Sequence, residues 1–218
     1  MGSYNNLLDR YRLKSISELL GNAKSKGEVI ANLKSSTHNK WLIDGVSGCG
    51  KTALARLIAK EMGSVSVFDV TISNIRSAKY RDEALRDAIT NISSGDRRVY
   101  LIDDCSIFSR RELDWVADLL AGISESDVAI LCTTDISSIS EALVSSCGIR
   151  ISLSEPDSEE LLNFLVGVCT DLSVEYSIEG LKLIVKECRL NIRNSLFLLE
   201  HVLTNKNEAT YSSVKEMF

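Results

Sequence analysis

The chain has 218 residues, 44% of them hydrophobic and 25% charged, enough to bury one good core and a smaller second one. A net charge of −5 excludes a protein that holds nucleic acid by bulk charge, so any such contact must come from a local basic patch. No run approaches the roughly eighteen apolar residues of a membrane span, the N-terminus lacks the layout of a secretory signal, and the six cysteines form no C-x-x-C pair, which points to a cytoplasmic protein with buried free thiols and no zinc.

In chain order, Trp41-Leu42-Ile43 reads as a short buried strand. It runs into Gly45-Val46-Ser47-Gly48-Cys49-Gly50-Lys51-Thr52, which fits G-x-x-x-x-G-K-[ST]. A chain whose backbone N–H groups converge on an anion must keep side chains out of the way, and glycines at 45, 48 and 50 do so. The helix expected from Lys51 and Ala53 onward, with Leu54, Leu57 and Ile58 on one side, aims its positive end at the same oxygens. Lys51 can reach the outer phosphates of a nucleoside triphosphate and the Thr52 hydroxyl can bind Mg2+. Cys49, inside this loop, is a point where oxidation would block the nucleotide.

Ser66–Val70 follows as a strand and Ser77 to Asn91 as a polar helix. Val99-Tyr100-Leu101-Ile102 is a third strand, Arg110 to Gly122 a helix, Val128-Ala129-Ile130-Leu131 a fourth strand and Ile149 to Leu153 a fifth. This alternation predicts an α/β fold, a five-stranded parallel sheet covered on both faces. The only proline, Pro156, follows the fifth strand, and beyond it the apolar spacing is helical in three runs: Ser158 to Cys169, Ile178 to Cys188 and Arg193 to Leu203. Two domains are expected, 1–153 as the nucleotide-binding α/β unit and 154–218 as a small all-α unit. The third strand ends in Asp103 and Asp104, beside the phosphate loop if the sheet is parallel; Asp103 can hold Mg2+ through its water shell and Asp104 can orient an attacking water.

These pieces, in this order, resemble the AAA+ ATPases, most closely the subunits that load DNA-polymerase sliding clamps. Tyr11-Arg12-Leu13-Lys14 through Leu20-Gly21-Asn22 is similar to the family's opening segment, which folds over the adenine, with Leu13 in place of a proline. Ile130-Leu131-Cys132-Thr133-Thr134-Asp135 resembles the sensor 1 strand, Leu143-Val144-Ser145-Ser146-Cys147 the L-S-R-C motif, and Asn191-Ile192-Arg193-Asn194 the sensor 2 motif. The resemblance implies an ATPase using ATP and Mg2+, with the sensor 1 strand between the strands of the phosphate loop and of Asp103, and with a helical lid. It assigns Tyr11, Arg12, Leu20, Ile192 and Arg193 to the nucleotide beside residues 45–53, and Lys51, Asp104, Thr134 and Arg193 to catalysis. It implies sister AAA+ subunits, a sliding clamp and primer–template DNA as partners, with Arg76, Lys79 and Arg81 placed to meet DNA phosphates.

The chain departs from the family in three places. Asp104 stands where a glutamate is usual, Ser146 where an arginine reaches into the neighbouring subunit's ATP site, and no collar domain is visible before Phe218. A carboxylate one methylene short implies slow hydrolysis, and Ser146 implies a chain that supplies no arginine finger from that position. Two alternatives stay open: a structural subunit that binds ATP without hydrolysing it, and another AAA+ replication factor such as a helicase loader.

Overall fold

A computed structural model describes residues 4–35, 38–63, 66–83 and 97–218. Five strands, β1 (Lys40–Gly45), β2 (Ser66–Val70), β3 (Arg98–Ile102), β4 (Val128–Thr133) and β5 (Ile149–Leu153), pair in parallel in the order β2-β3-β4-β1-β5. The sensor 1 strand β4 therefore lies between β1 and β3, as expected. Every residue of β3 and β4 is buried, which is why both read as unbroken apolar runs. At the edge, β5 alternates buried and exposed, and its outward Arg150 and Ser152 reach Asp44 Oδ1 at 3.1 and 2.9 Å.

Alternation along the strands sorts the core into two layers. Trp41 and Ile43 of β1 pack with Val29 of α2 (Ala23–Ser35) and with Leu54, Ala55 and Ile58 of α3 (Lys51–Glu61). Leu42 faces the other way, towards Ile75 of α4 (Ile72–Ile75), Val116 and Leu119 of α6 (Arg110–Gly122) and Leu143 of α7 (Glu141–Ser146). Each such fully buried aliphatic side chain contributes about 1.5–3 kcal/mol. Helix α6 starts at a capping box, in which Ser109 Oγ accepts from Glu112 N–H and Glu112 accepts from Ser109 N–H; the latter bond leads in holding the Glu112 carboxyl below its usual range. Helix α5 begins at 78 and is described to 83; the rest of the helix predicted to Asn91 lies outside the described residues.

At the edge of the sheet remote from the phosphate loop, Arg98 and Asp127 form a buried ion pair. Arg98 donates its backbone N–H and Nε to Asp127 Oδ1 at 3.1 and 3.2 Å and its terminal nitrogen to Oδ2 at 2.5 Å. Asn39 Nδ2 donates to the Asp127 carbonyl at 2.9 Å and so ties the start of β1 to the same point.

Residues beyond Pro156 form α8 (Ser158–Asp171), α9 (Ile178–Glu187), α10 (Ile192–Lys206) and α11 (Tyr211–Lys215) around a separate core that includes Leu161, Leu165, Leu181, Ile184, Leu199 and Leu203. Three helices were expected here. The fourth, α11, and a parallel ladder between β6 (Glu175–Tyr176) and β7 (Glu208–Ala209) are additions, too short to generate a periodic signal. Leu7 of α1 (Leu7–Arg10) is buried in this helical core, and its N–H donates to Glu200 at 2.7 Å. Among the described residues no helix is long and apolar enough to cross a membrane.

Candidate functional site

Because all five strands run the same way, the residues that follow them collect at one edge of the sheet. The loop after β1 takes positive φ at Gly45, Gly48 and Gly50. At Gly45 a Cβ would lie 2.3 Å from the Leu153 carbonyl oxygen, so the glycine lets the loop leave the sheet against β5. The Lys51 ammonium is buried and donates to the carbonyl oxygens of Gly45 and Val46, both at 2.8 Å. Thr52 Oγ1 lies 3.0 Å from each carboxylate oxygen of Asp103, which brings the two expected metal-holding side chains together.

Asp104 sits in the left-handed region at φ 53°, a conformation that costs about 1–2 kcal/mol outside glycine and that aspartate tolerates better than most residues. Its Oδ1 accepts from Ser106 Oγ at 2.9 Å, and Ser106 Oγ lies 2.7 Å from Thr134 Oγ1. A serine hydroxyl has one proton, and a carboxylate only accepts. Ser106 therefore donates to Asp104, and Thr134 donates to Ser106. Ser106, absent from the expected set, thus connects two residues assigned to catalysis.

Above the loop lies a cavity of about 480 Å3. Its wall combines Tyr11, Arg12 and Leu20 of the opening segment, Gly48 through Ala53 of the loop and α3, and Ile192 and Arg193 of α10. Gly45, Val46 and Ser47 lie outside this wall, as do Asp103, Asp104 and Thr134. Phe164 and Leu196 also line it; the sequence shows them only as members of apolar helix faces. The opening segment is fastened to the helical region. Tyr11 donates to Asp171 at 2.5 Å and meets the Phe164 ring edge-on at 6.4 Å, while Arg10 pairs with the same carboxylate at 2.9 Å. Burial and, after it, the bond to Asp171 push the Tyr11 phenol up to about 12, so it stays a neutral donor.

Three other expectations meet specific surroundings. Cys49 is buried, and burial raises its thiol above the usual range, while the residue also lines the cavity. Ser146 Oγ turns back to the Leu143 carbonyl at 2.7 Å, at the end of α7. Arg76 and Lys79 are exposed and Arg81 is half-buried, and each has a partner: Arg76 pairs with Glu112 at 3.3 Å, Lys79 with Glu83 at 3.8 Å, and Arg81 donates to the Ile75 carbonyl at 2.6 Å.

Residues 41–155, from β1 to just past β5, match the family model described as ATPase family associated with various cellular activities (AAA). The chain belongs to the AAA family of ATPases. Its relatives include DNA polymerase III subunit gamma of Buchnera aphidicola subsp. Schizaphis graminum, 28% identical over 99% of this chain and 66% of the relative. Others are DNA polymerase III subunit tau of Escherichia coli, 22% identical over 93% and 35%, and replication factor C large subunit of Methanosphaera stadtmanae, 27% identical over 95% and 40%. The chain thus spans less than two thirds of the length of each. Among solved structures, the RuvB Holliday junction branch migration motor of Thermotoga maritima superposes with a TM-score of 0.72 at 22% identity, over 94% of this chain and 71% of that one, a likeness of fold. An AAA ATPase domain is a nucleotide-binding unit, and the residues expected to serve it lie here at one sheet edge and around one cavity.

Proposed function

We propose that this AAA domain works as a clamp-loader-like subunit of DNA replication, binding ATP between residues 1–153 and a helical lid of residues 154–218. The observation that carries the nucleotide reading is the convergence of the opening segment, the phosphate loop and Arg193 on one cavity beside the Thr52–Asp103 contact. The similarity to polymerase III gamma and tau and to replication factor C supports the replication reading.

In this reading Tyr11, Arg12, Leu20 and Ile192 flank the base and sugar, and residues 45–53 wrap the phosphates. A hydroxyl and a carboxylate 3.0 Å apart, both hard oxygen donors, suit Mg2+, which when bound neutralises the outer phosphates. Lys51 exchanges its two loop carbonyls for phosphate oxygens, Asp104 orients the attacking water, Thr134 reports the γ-phosphate and Arg193 reaches over the phosphates from α10. Sister AAA+ subunits and a sliding clamp are the partners, and Arg76, Lys79 and Arg81 meet the backbone of primer–template DNA, where a phosphate would displace Glu112 and Glu83.

ATP turnover by the purified chain, alone and with sister subunits, clamp and primer–template DNA, tests this. Asp104→Asn is expected to lower the stimulated rate by about 100-fold while leaving ATP affinity within about threefold, because the carboxylate orients water and does not hold nucleotide. Turnover unchanged in that variant would remove Asp104 from the chemistry. Alanine at Arg76, Lys79 and Arg81 together is expected to reduce the salt dependence of DNA binding by a log–log slope of about 2–3, the signature of lost phosphate contacts. An unchanged slope would move the DNA contact elsewhere.

A second reading is favoured by one arrangement. The Asp104 carboxylate is held by Ser106, and Ser146 offers no arginine, as in a subunit whose ATP gates assembly and is not turned over. Tight ATP binding without turnover under every condition above would select it.

A further inference from the structure

The residue that caps the start of α10, Asn191, touches the phosphate loop through its side chain. Asn191 Oδ1 accepts from Asn194 N–H at 3.0 Å, capping the helix, and Asn191 Nδ2 donates to the Ser47 carbonyl oxygen at 2.8 Å, across 144 residues of sequence. The two partners fix which end of the amide is which, since an N–H needs the oxygen and a carbonyl needs the nitrogen. The carboxamide also lies against Gly48, where a Cβ would come within 2.3 Å of Oδ1 and 2.6 Å of Nδ2, and Gly48 is at φ 78°.

A trans peptide is planar, with its carbonyl and N–H on opposite sides. Holding the Ser47 carbonyl towards α10 therefore turns the Gly48 N–H away from Asn191. We propose that Asn191 is a positioning residue for the phosphate loop: it locks the Ser47–Gly48 peptide so that the Gly48 N–H aims at the nucleotide's phosphates, which makes phosphate affinity depend on docking of α10. This rests on the reading of residues 45–52 as the phosphate site. Arg193, two residues further on, lines the nucleotide cavity from the same helical turn, so one short segment both shapes the loop and faces the ligand. The coupling is reciprocal: a nucleotide that draws on the Gly48 N–H also favours the docked helix.

Two variants separate the latch from the cap. Asn191→Asp keeps an oxygen for Asn194 N–H but has no donor for Ser47, and Asn191→Ser keeps a capping hydroxyl too short to reach Ser47. Both are expected to melt, without nucleotide, within about 2 °C of the wild type. Both are expected to bind fluorescently labelled ADP about tenfold more weakly, because preorganisation has been lost. The KM for ATP rises in parallel while kcat moves by less than about twofold, since uniform binding is removed. In the wild type, ADP slows amide exchange in the first turn of α10, and that protection is lost in both variants. ADP affinity within about twofold of the wild type in both variants overturns the proposal, and so does weakening confined to Asn191→Asp, which would trace to its added charge. A wild type that binds ADP no better than Lys51→Ala does overturns the phosphate-site reading itself, an outcome distinct from wild-type binding with unchanged variants.

Discussion

Replacing Lys51 with alanine is expected to remove ATP turnover, by about 100-fold or more in kcat/KM. The ammonium is the one cation that the phosphate loop keeps buried, and two backbone carbonyls, those of Gly45 and Val46, hold it at 2.8 Å. Inside such a site a fixed positive charge facing the phosphates carries several kcal/mol, whereas in water it would be screened. The same substitution strips both carbonyls of their donor, so the loop loses shape as well as charge. Steady-state turnover and ADP binding, read with the nucleotide-free melting temperature, separate these effects. A loss of turnover with a melting shift of only a few degrees assigns the effect to phosphate contact. Turnover within about threefold of the wild type would mean that Lys51 does not face the phosphates.

The largest expected loss of stability lies at the other end of the sheet. Asp127→Ala removes the carboxylate from the buried pair with Arg98 and breaks three hydrogen bonds at the entrances of β3 and β4. Breaking a buried pair in this way costs about 3–5 kcal/mol, and for a domain of this size each kcal/mol lowers the melting temperature by about 2–4 °C. The variant should therefore melt about 6–20 °C below the wild type, as read by urea and thermal unfolding. Replacing both partners with apolar residues of similar volume should recover most of that loss, because the pair's desolvation cost disappears with it. A single variant as stable as the wild type would show that Arg98 finds another partner when Asp127 is lost.

Much of this arrangement is legible in the residues themselves. The apolar runs 41–43, 99–102 and 128–131 announce strands because both faces of a parallel sheet are covered. The glycines of the loop, and the carboxylates that end β3, mark the site because chemistry fixes their types and spacing. What escapes local reading depends on residues distant in sequence. Nothing around Ser106 says that its hydroxyl will join Asp104 to Thr134, and Asn191 reads only as part of a motif until the fold brings Ser47 beside it. The burial of Cys49 is of the same kind: the sequence shows its place in the loop, and the fold puts it in one apolar cluster with Leu19 and Leu54. Helix α11 follows Thr210, whose side chain caps it, and that short polar residue is the local signal of its start.

The fastening of the opening segment to the last helices also bears on the order in which the molecule is made. The phosphate loop joins a strand and a helix adjacent in sequence, so its outline can form once β1 and α3 have neighbours to pack on, while its Ser47–Gly48 peptide waits for Asn191. The roof of the cavity needs Leu7 to meet Glu200, 193 residues later, and Tyr11 to meet Asp171, 160 residues later. Contacts this far apart pay their loop-closure entropy late and rank among the slowest to assemble. As the chain emerges from the ribosome, the sheet can gather first while the opening segment waits without its partners. The nucleotide cavity is then among the last of these features to close, so nucleotide capture reports that α8 and α10 have docked on the opening segment.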